Sequence, residues 1–121
     1  MKEAIKQIII EKITQMITVI IRYKGTDGSA KRFVNEMISS GIVNSIRNEE
    51  GNLRYEYFYP LEDNESVVLI DSWKDQEALD KHHELPLMQR ISELREKYDL
   101  HMEAEKYSQL IDEKDSKYIR K

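Results

Sequence analysis

The chain has 121 residues, no cysteine, 40% hydrophobic and 35% charged residues, and a formal net charge of −4. That is one domain with enough chain to bury a core, and it excludes disulfide frameworks, thiolate zinc sites and cysteine nucleophiles. The acidic balance argues against nucleic acid as a partner, and no apolar run approaches the roughly 20 residues that cross a membrane.

Residues 1–15 read as an amphipathic helical extension. Ala4, Ile5, Ile8, Ile9 and Ile13 share a stripe at helical spacing. Lys6, Gln7, Glu11 and Lys12 break the apolar run that a secretory signal would need, so a cytoplasmic protein is the expectation. The isoleucine stripe suits a latch over a partner subunit or a cap over a pocket mouth. Residues 16–24, rich in β-branched side chains, predict a strand ended by the Gly25-Thr26-Asp27-Gly28 turn. Ala30, Phe33, Val34, Met37, Ile38, Gly41, Ile42, Ser45 and Ile46 then predict one continuous helix with Gly41 on its buried side. A glycine there marks either a close approach to a sheet or space for a ligand. After a turn at residues 48–52, strands are predicted over 53–59 and 66–73. In the first, Leu53, Tyr55, Tyr57 and Tyr59 face one way. The second is apolar on both faces, as a central strand should be. A helical region over 75–98 is divided by Pro86 into a short helix and a longer one. A last strand covers 99–107, and 108–121 form a charged tail.

The order strand, helix, strand, strand, helix, strand is the split βαβ pattern, an α+β arrangement with a four-stranded antiparallel sheet and helices on one face. Nothing in the chain covers the other face. With Tyr55, Tyr57 and Val68 available to it, that face predicts a second copy of the chain as partner.

The stretch from Val68 to Pro86 carries a family resemblance. Asp71 stands two residues before Trp73, Asp75 and the Ala78-Leu79 pair follow, His82 comes nine residues after the tryptophan, and Pro86 four beyond that. This resembles the signature of the antibiotic biosynthesis monooxygenase family, which includes quinol monooxygenases. Met16-Ile17-Thr18-Val19 and the segment from Glu50 to Glu56 are similar to the family's first strand and second-strand start. Asp71 replaces a commoner glutamate, and Leu87 stands where many relatives have a second histidine. The resemblance covers about residues 16–107. It implies a ferredoxin-like homodimer, a dimeric α/β barrel, associated through the open sheet face. It also implies a small aromatic substrate and dioxygen, handled without metal or flavin cofactor.

His82 is the candidate catalytic base, because imidazole can take a proton from a phenol or an enolisable carbon near neutrality. It could equally be a histidine that fixes its helix to the strand. Trp73 is a candidate substrate-stacking wall or a core plug with its indole N–H satisfied by backbone. Tyr57 could orient a quinol, although a tyrosine ladder of Tyr55, Tyr57 and Tyr59 suits a dimer surface better. Phe33 and Met37 are core residues that could also line the helix side of a pocket. His83 should point elsewhere, into solvent. His101, Glu103 and Glu105 alternate along the last strand and read as a polar edge rather than a metal site. No phosphate loop, nucleotide fingerprint or serine elbow is present. The expected function is cofactor-independent monooxygenation of a quinol or similar enolisable aromatic. The alternatives are a dimer without turnover and a haem-binding or haem-degrading protein, with Arg47 and Arg90 as partners for propionates.

Overall fold

The computed structural model describes residues 2–6, 15–108 and 117–119. Residues 2–6 are helical. The expected isoleucine stripe beyond Lys6 and most of the charged tail fall outside the described residues.

The first strand, β1, runs Ile17–Lys24. Its period-two alternation sends Ile17, Val19, Ile21 and Tyr23 to one face and Thr18, Ile20 and Arg22 to the other. The following turn holds Asp27 and Gly28 at positive φ. Ser29 Oγ accepts the Thr26 N–H at 2.9 Å, and Glu65 Oε2 accepts the Gly28 N–H at 3.2 Å, which fixes where the helix starts. That helix, α1 (Ser29–Ser39), buries Ala30, Phe33, Val34 and Met37, spaced three and four apart, against the sheet.

The predicted single helix is in fact two. Gly41 adopts φ +85°, a left-handed conformation in which an α-helix cannot continue, and α2 (Ile42–Arg47) starts afresh from it. Gly41 is exposed, with none of the described residues within 4 Å of where a Cβ would stand, so it neither contacts the sheet nor opens a pocket. The change of direction keeps Ile42, Val43 and Ile46 buried.

Strand β2 (Asn52–Phe58) pairs with β3 (Ser66–Trp73), with a register irregularity between Asn52 and Arg54. Asp75 caps α3 (Gln76–His83), its Oδ1 accepting the Ala78 N–H at 2.8 Å. Pro86 separates α3 from α4 (Leu87–Lys97), and β4 (His101–Ser108) completes the sheet. All pairings are antiparallel and the strand order is β2-β3-β1-β4. The fold is the ferredoxin-like βαββαβ arrangement, with its helices on one face. Tyr23, Phe33, Met37, Ile42, Ile46, Leu69, Trp73 and Leu79 are its largest fully buried apolar side chains.

The register corrects the expected placement of the tyrosines. Tyr55 pairs with Asp71 and Tyr57 with Leu69, so both lie on the helix-covered face. The open face carries Thr18, Ile20, Arg22, Phe58, Val68, Ile70 and Ser72, with the Thr18 and Ser72 hydroxyls bonded at 2.8 Å. Among the described residues, no helix is long and apolar enough to cross a membrane.

Candidate active site

Helices α3 and α4 leave a cavity of about 490 Å³ between themselves and the covered side of the sheet. Val19 and Ile21 of β1, Leu69 of β3, Leu79 of α3, Met88 and Ile91 of α4, and Met102 and Ala104 of β4 give it apolar walls. Tyr23, Tyr55, Asp71, His82 and Arg95 are the main polar groups converging on it, with His83, Gln76, Glu105 and Lys106 also among its lining residues. An apolar hollow with a few convergent polar groups is the usual form of a small-molecule site.

His82 belongs to the last turn of α3 and is only 3% exposed. Its Nδ1 lies 2.9 and 3.0 Å from the two carboxylate oxygens of Glu49, in the turn between α2 and β2. A carboxylate only accepts, so Nδ1 carries the proton, and in the neutral ring Nε2 holds the free lone pair. Nε2 has no partner among the described residues, on a residue that lines the cavity. This is the arrangement of an oriented general base. The Glu49 turn is held in place by Gly51, whose carbonyl accepts the Lys74 N–H at 2.8 Å just past the end of β3.

Trp73 is fully buried behind His82, with ring centroids 4.6 Å apart and planes at 31°. It backs the imidazole and is not part of the cavity lining. Among the described residues its indole N–H has no partner in hydrogen-bond geometry, contrary to the expectation of a backbone acceptor.

Phe33 and Met37 are fully buried beneath α1 and do not line the cavity. The Phe33 ring packs among Tyr23, Tyr57 and Tyr98. Tyr57 stands one step from the cavity, its hydroxyl 3.5 Å from that of Tyr55, which does line it. Burial pushes both phenols above the usual tyrosine range. His83 is solvent-exposed as expected, yet it does not point away from the site. It lines the cavity, with its ring 5.6 Å from that of His82, and burial followed by repulsion from His82 lowers its pKa.

Two cavity groups escaped the sequence reading in these roles. Asp71 is 5% exposed and its Oδ1 has no hydrogen-bond partner among the described residues. Burial raises its pKa to about 7; the Trp73 indole N–H, which lies outside ordinary hydrogen-bond geometry, opposes this, and the Glu49 charge reinforces it. Arg95 reaches the cavity from α4, its guanidinium carbon 5.8 Å from the Tyr23 ring centroid. Its charge offsets part of the upward push that burial exerts on the Tyr23 phenol. The signal for Arg95 was available: Met88, Ile91 and Arg95 follow one another at helical spacing, which puts a cation on an otherwise apolar line. Arg47 and Arg90 do not line the cavity. Arg47 donates to the Tyr55 carbonyl at 2.9 and 2.7 Å, tying α2 to β2, and Arg90 borders a surface cleft with Glu36 and Lys97. His101, Glu103 and Glu105 all lie on the open-face side of β4, and no group of three metal-binding side chains occurs among the described residues.

Residues 16–94 match the family model described as antibiotic biosynthesis monooxygenase. No curated protein matches the chain. Among solved structures, a conserved protein from Methanosarcina mazei is similar at 25% identity and a TM-score of 0.66, over 78% of this chain and 92% of that one. A protein from Pseudomonas aeruginosa matches at 23% identity and 0.70, over 82% and 98%. A variant of SnoaB, described as a cofactor-independent oxygenase from Streptomyces nogalater, matches at 14% identity and 0.67, over 81% and 96%. The structural likenesses agree with the ferredoxin-like fold, and the family model spans well over half of the sequence: the chain belongs to the antibiotic biosynthesis monooxygenase family.

Proposed function

We propose that the protein is a cofactor-independent monooxygenase that oxidises a quinol or similar enolisable aromatic in this cavity, with His82 as the base. The observation that carries the reading is the Glu49–His82 pair on the wall of a largely apolar hollow. Nε2 of His82 takes the proton of a ring hydroxyl, and Glu49 stabilises the imidazolium that results. The substrate anion passes one electron to dioxygen, and the radical and superoxide join in a new carbon–oxygen bond. The proton held on His82 returns to the outer oxygen. Loss of the ring-carbon proton then breaks the O–O bond, leaving a carbonyl and one water. One oxygen atom enters the substrate and the substrate supplies both electrons, so no further reductant is needed. Apolar walls of Val19, Leu69, Leu79 and Ile91 lower the polarity on one side of the reactive anion. The proposal includes a homodimer through the open sheet face, whose apolar centre is Ile20, Val68 and Ile70.

The test is dioxygen uptake with a naphthohydroquinone, measured above its spontaneous oxidation. The expected result is catalysed uptake by the wild type and a loss of 10²–10⁴-fold in His82→Ala, the range typical of a general base. Glu49→Gln should keep the fold and lose about tenfold or more through a misassigned tautomer, an effect of the kind seen when an orienting partner is removed. Unchanged uptake in His82→Ala removes it from the mechanism, and no catalysed uptake by the wild type overturns the substrate class.

A further inference from the structure

A guanidinium nitrogen buried against apolar walls needs an anion or a hydrogen-bond acceptor. Arg95 lies along such a wall beside Ile91 and Met88, and its buried Nε has no partner among the described residues. Glu49 is engaged with His82 and is not its counter-charge. Asp71 is buried on the floor of the same cavity with Oδ1 also unpartnered, and it forms no ion pair with Arg95. The Tyr23 hydroxyl stands beside Arg95 and the Trp73 indole N–H beside Asp71, neither within ordinary hydrogen-bond geometry. Buried polar atoms are nearly always satisfied, so those left incompletely paired at this hollow are half of a network whose other half arrives with a ligand.

We infer that the cavity selects substrates bearing a carboxylate on the aromatic ring, gripped by the Arg95 guanidinium and accepting a second hydrogen bond from the Asp71 carboxyl. The planar fork of an arginine matches a carboxylate with two parallel N–H···O bonds, which a neutral ring substituent does not reproduce. Burial keeps Asp71 protonated up to about pH 7, so below neutrality it presents a donor rather than a repelling charge. The inference rests on the oxygenase reading for the ring chemistry and adds to it the charge the substrate carries.

The experiment is calorimetric titration of the full chain at pH 6 with 2-naphthoate and its neutral isostere 2-naphthamide. The wild type should bind naphthoate at least tenfold more tightly. Arg95→Met should lose at least tenfold in naphthoate affinity with naphthamide unchanged, and Arg95→Gln should do the same, with unfolding curves confirming that each variant is folded. Equal affinities in the wild type, a preference that survives both substitutions, or no binding of either compound into the millimolar range overturns the inference. Binding is read without turnover. A naphthoate preference in a protein that consumes dioxygen with neither naphthohydroquinone nor its ring-carboxylated counterpart, 1,4-dihydroxy-2-naphthoate, would sink the oxygenase reading and leave the charge assignment standing.

Discussion

Among the carboxylates of the described residues, Asp71 departs furthest from its ordinary state. Its carboxyl titrates near 7 against a usual value of 3.8, and burial is the main cause. A raised acid pKa means that the native state holds its proton more tightly than the unfolded chain. Between about pH 4 and pH 7 the unfolded state therefore binds fewer protons, and this residue's contribution to stability falls as pH rises through that window. The full shift corresponds to about 4 kcal/mol. Asp71→Asn, which is neutral at all pH values, is expected to match the wild type within about 1 kcal/mol at pH 4 and to exceed it by about 2–4 kcal/mol at pH 8. Urea unfolding of both proteins at the two pH values checks this, and a pH-independent difference would contradict it. At this scale the sequence yielded His82, because a histidine nine residues after a strand-end tryptophan belongs to a family motif. Its partner Glu49 was not legible, since nothing in the chain between the two, which stand 33 positions apart, forms a pattern that brings a turn onto a helix end. Arg95 was passed over because a charged residue next to an apolar stripe is by default assigned to solvent.

Among the elements, the Glu49–Gly51 turn matters most, since it sets the orienting carboxylate. Gly51 sits at φ +88°, and a Cβ there would stand 2.7 Å from the Ala78 Cβ. Gly51→Ala combines a left-handed backbone penalty of about 1–2 kcal/mol with a clash against α3, so a loss of about 2–4 kcal/mol is expected. Because the turn would shift relative to α3, dioxygen uptake should also fall. Gly41→Ala meets open space and should cost only the backbone penalty, about 1–2 kcal/mol, with uptake retained. Equal losses of stability and activity in the two variants would refute this division. Elements with period-two or helical patterning were legible from residues alone, including β3 at residues 66–73 and the Pro86 break. The two failures have the same root. Periodicity reports which side chains are buried and says nothing of backbone direction. The stripe through Gly41 therefore looked continuous across a left-handed residue, and the tyrosines of β2 were assigned to a face that only the pairing with β3 determines.

For the molecule as a whole, the proposed dimer and the cavity are linked through β4. Every residue of this strand is exposed in the single chain, yet Met102 and Ala104 form part of the cavity wall. Its other side lies on the open face, where Glu105 pairs with Ile20 and Glu103 with Arg22. A second copy packed there would cover Ile20, Val68 and Ile70 and at the same time clamp β4 against β1. The mixed charges around this patch, Arg22 and Arg54 with Glu56 and Glu103, allow the self-complementary pairing that a two-fold axis requires. Val68→Asp places a charge at the centre of the apolar patch and leaves the Glu49–His82 pair on the opposite side of the sheet untouched. Sedimentation of the wild type should give twice the chain mass of 14.4 kDa, and the variant should sediment as a folded monomer. If the dimer also holds the cavity wall, dioxygen uptake in the monomeric variant should fall about tenfold, the kind of loss that small misplacements in a site produce. A wild type that is monomeric at micromolar concentration would remove the dimer. A fully active monomeric variant would keep the dimer and detach it from catalysis.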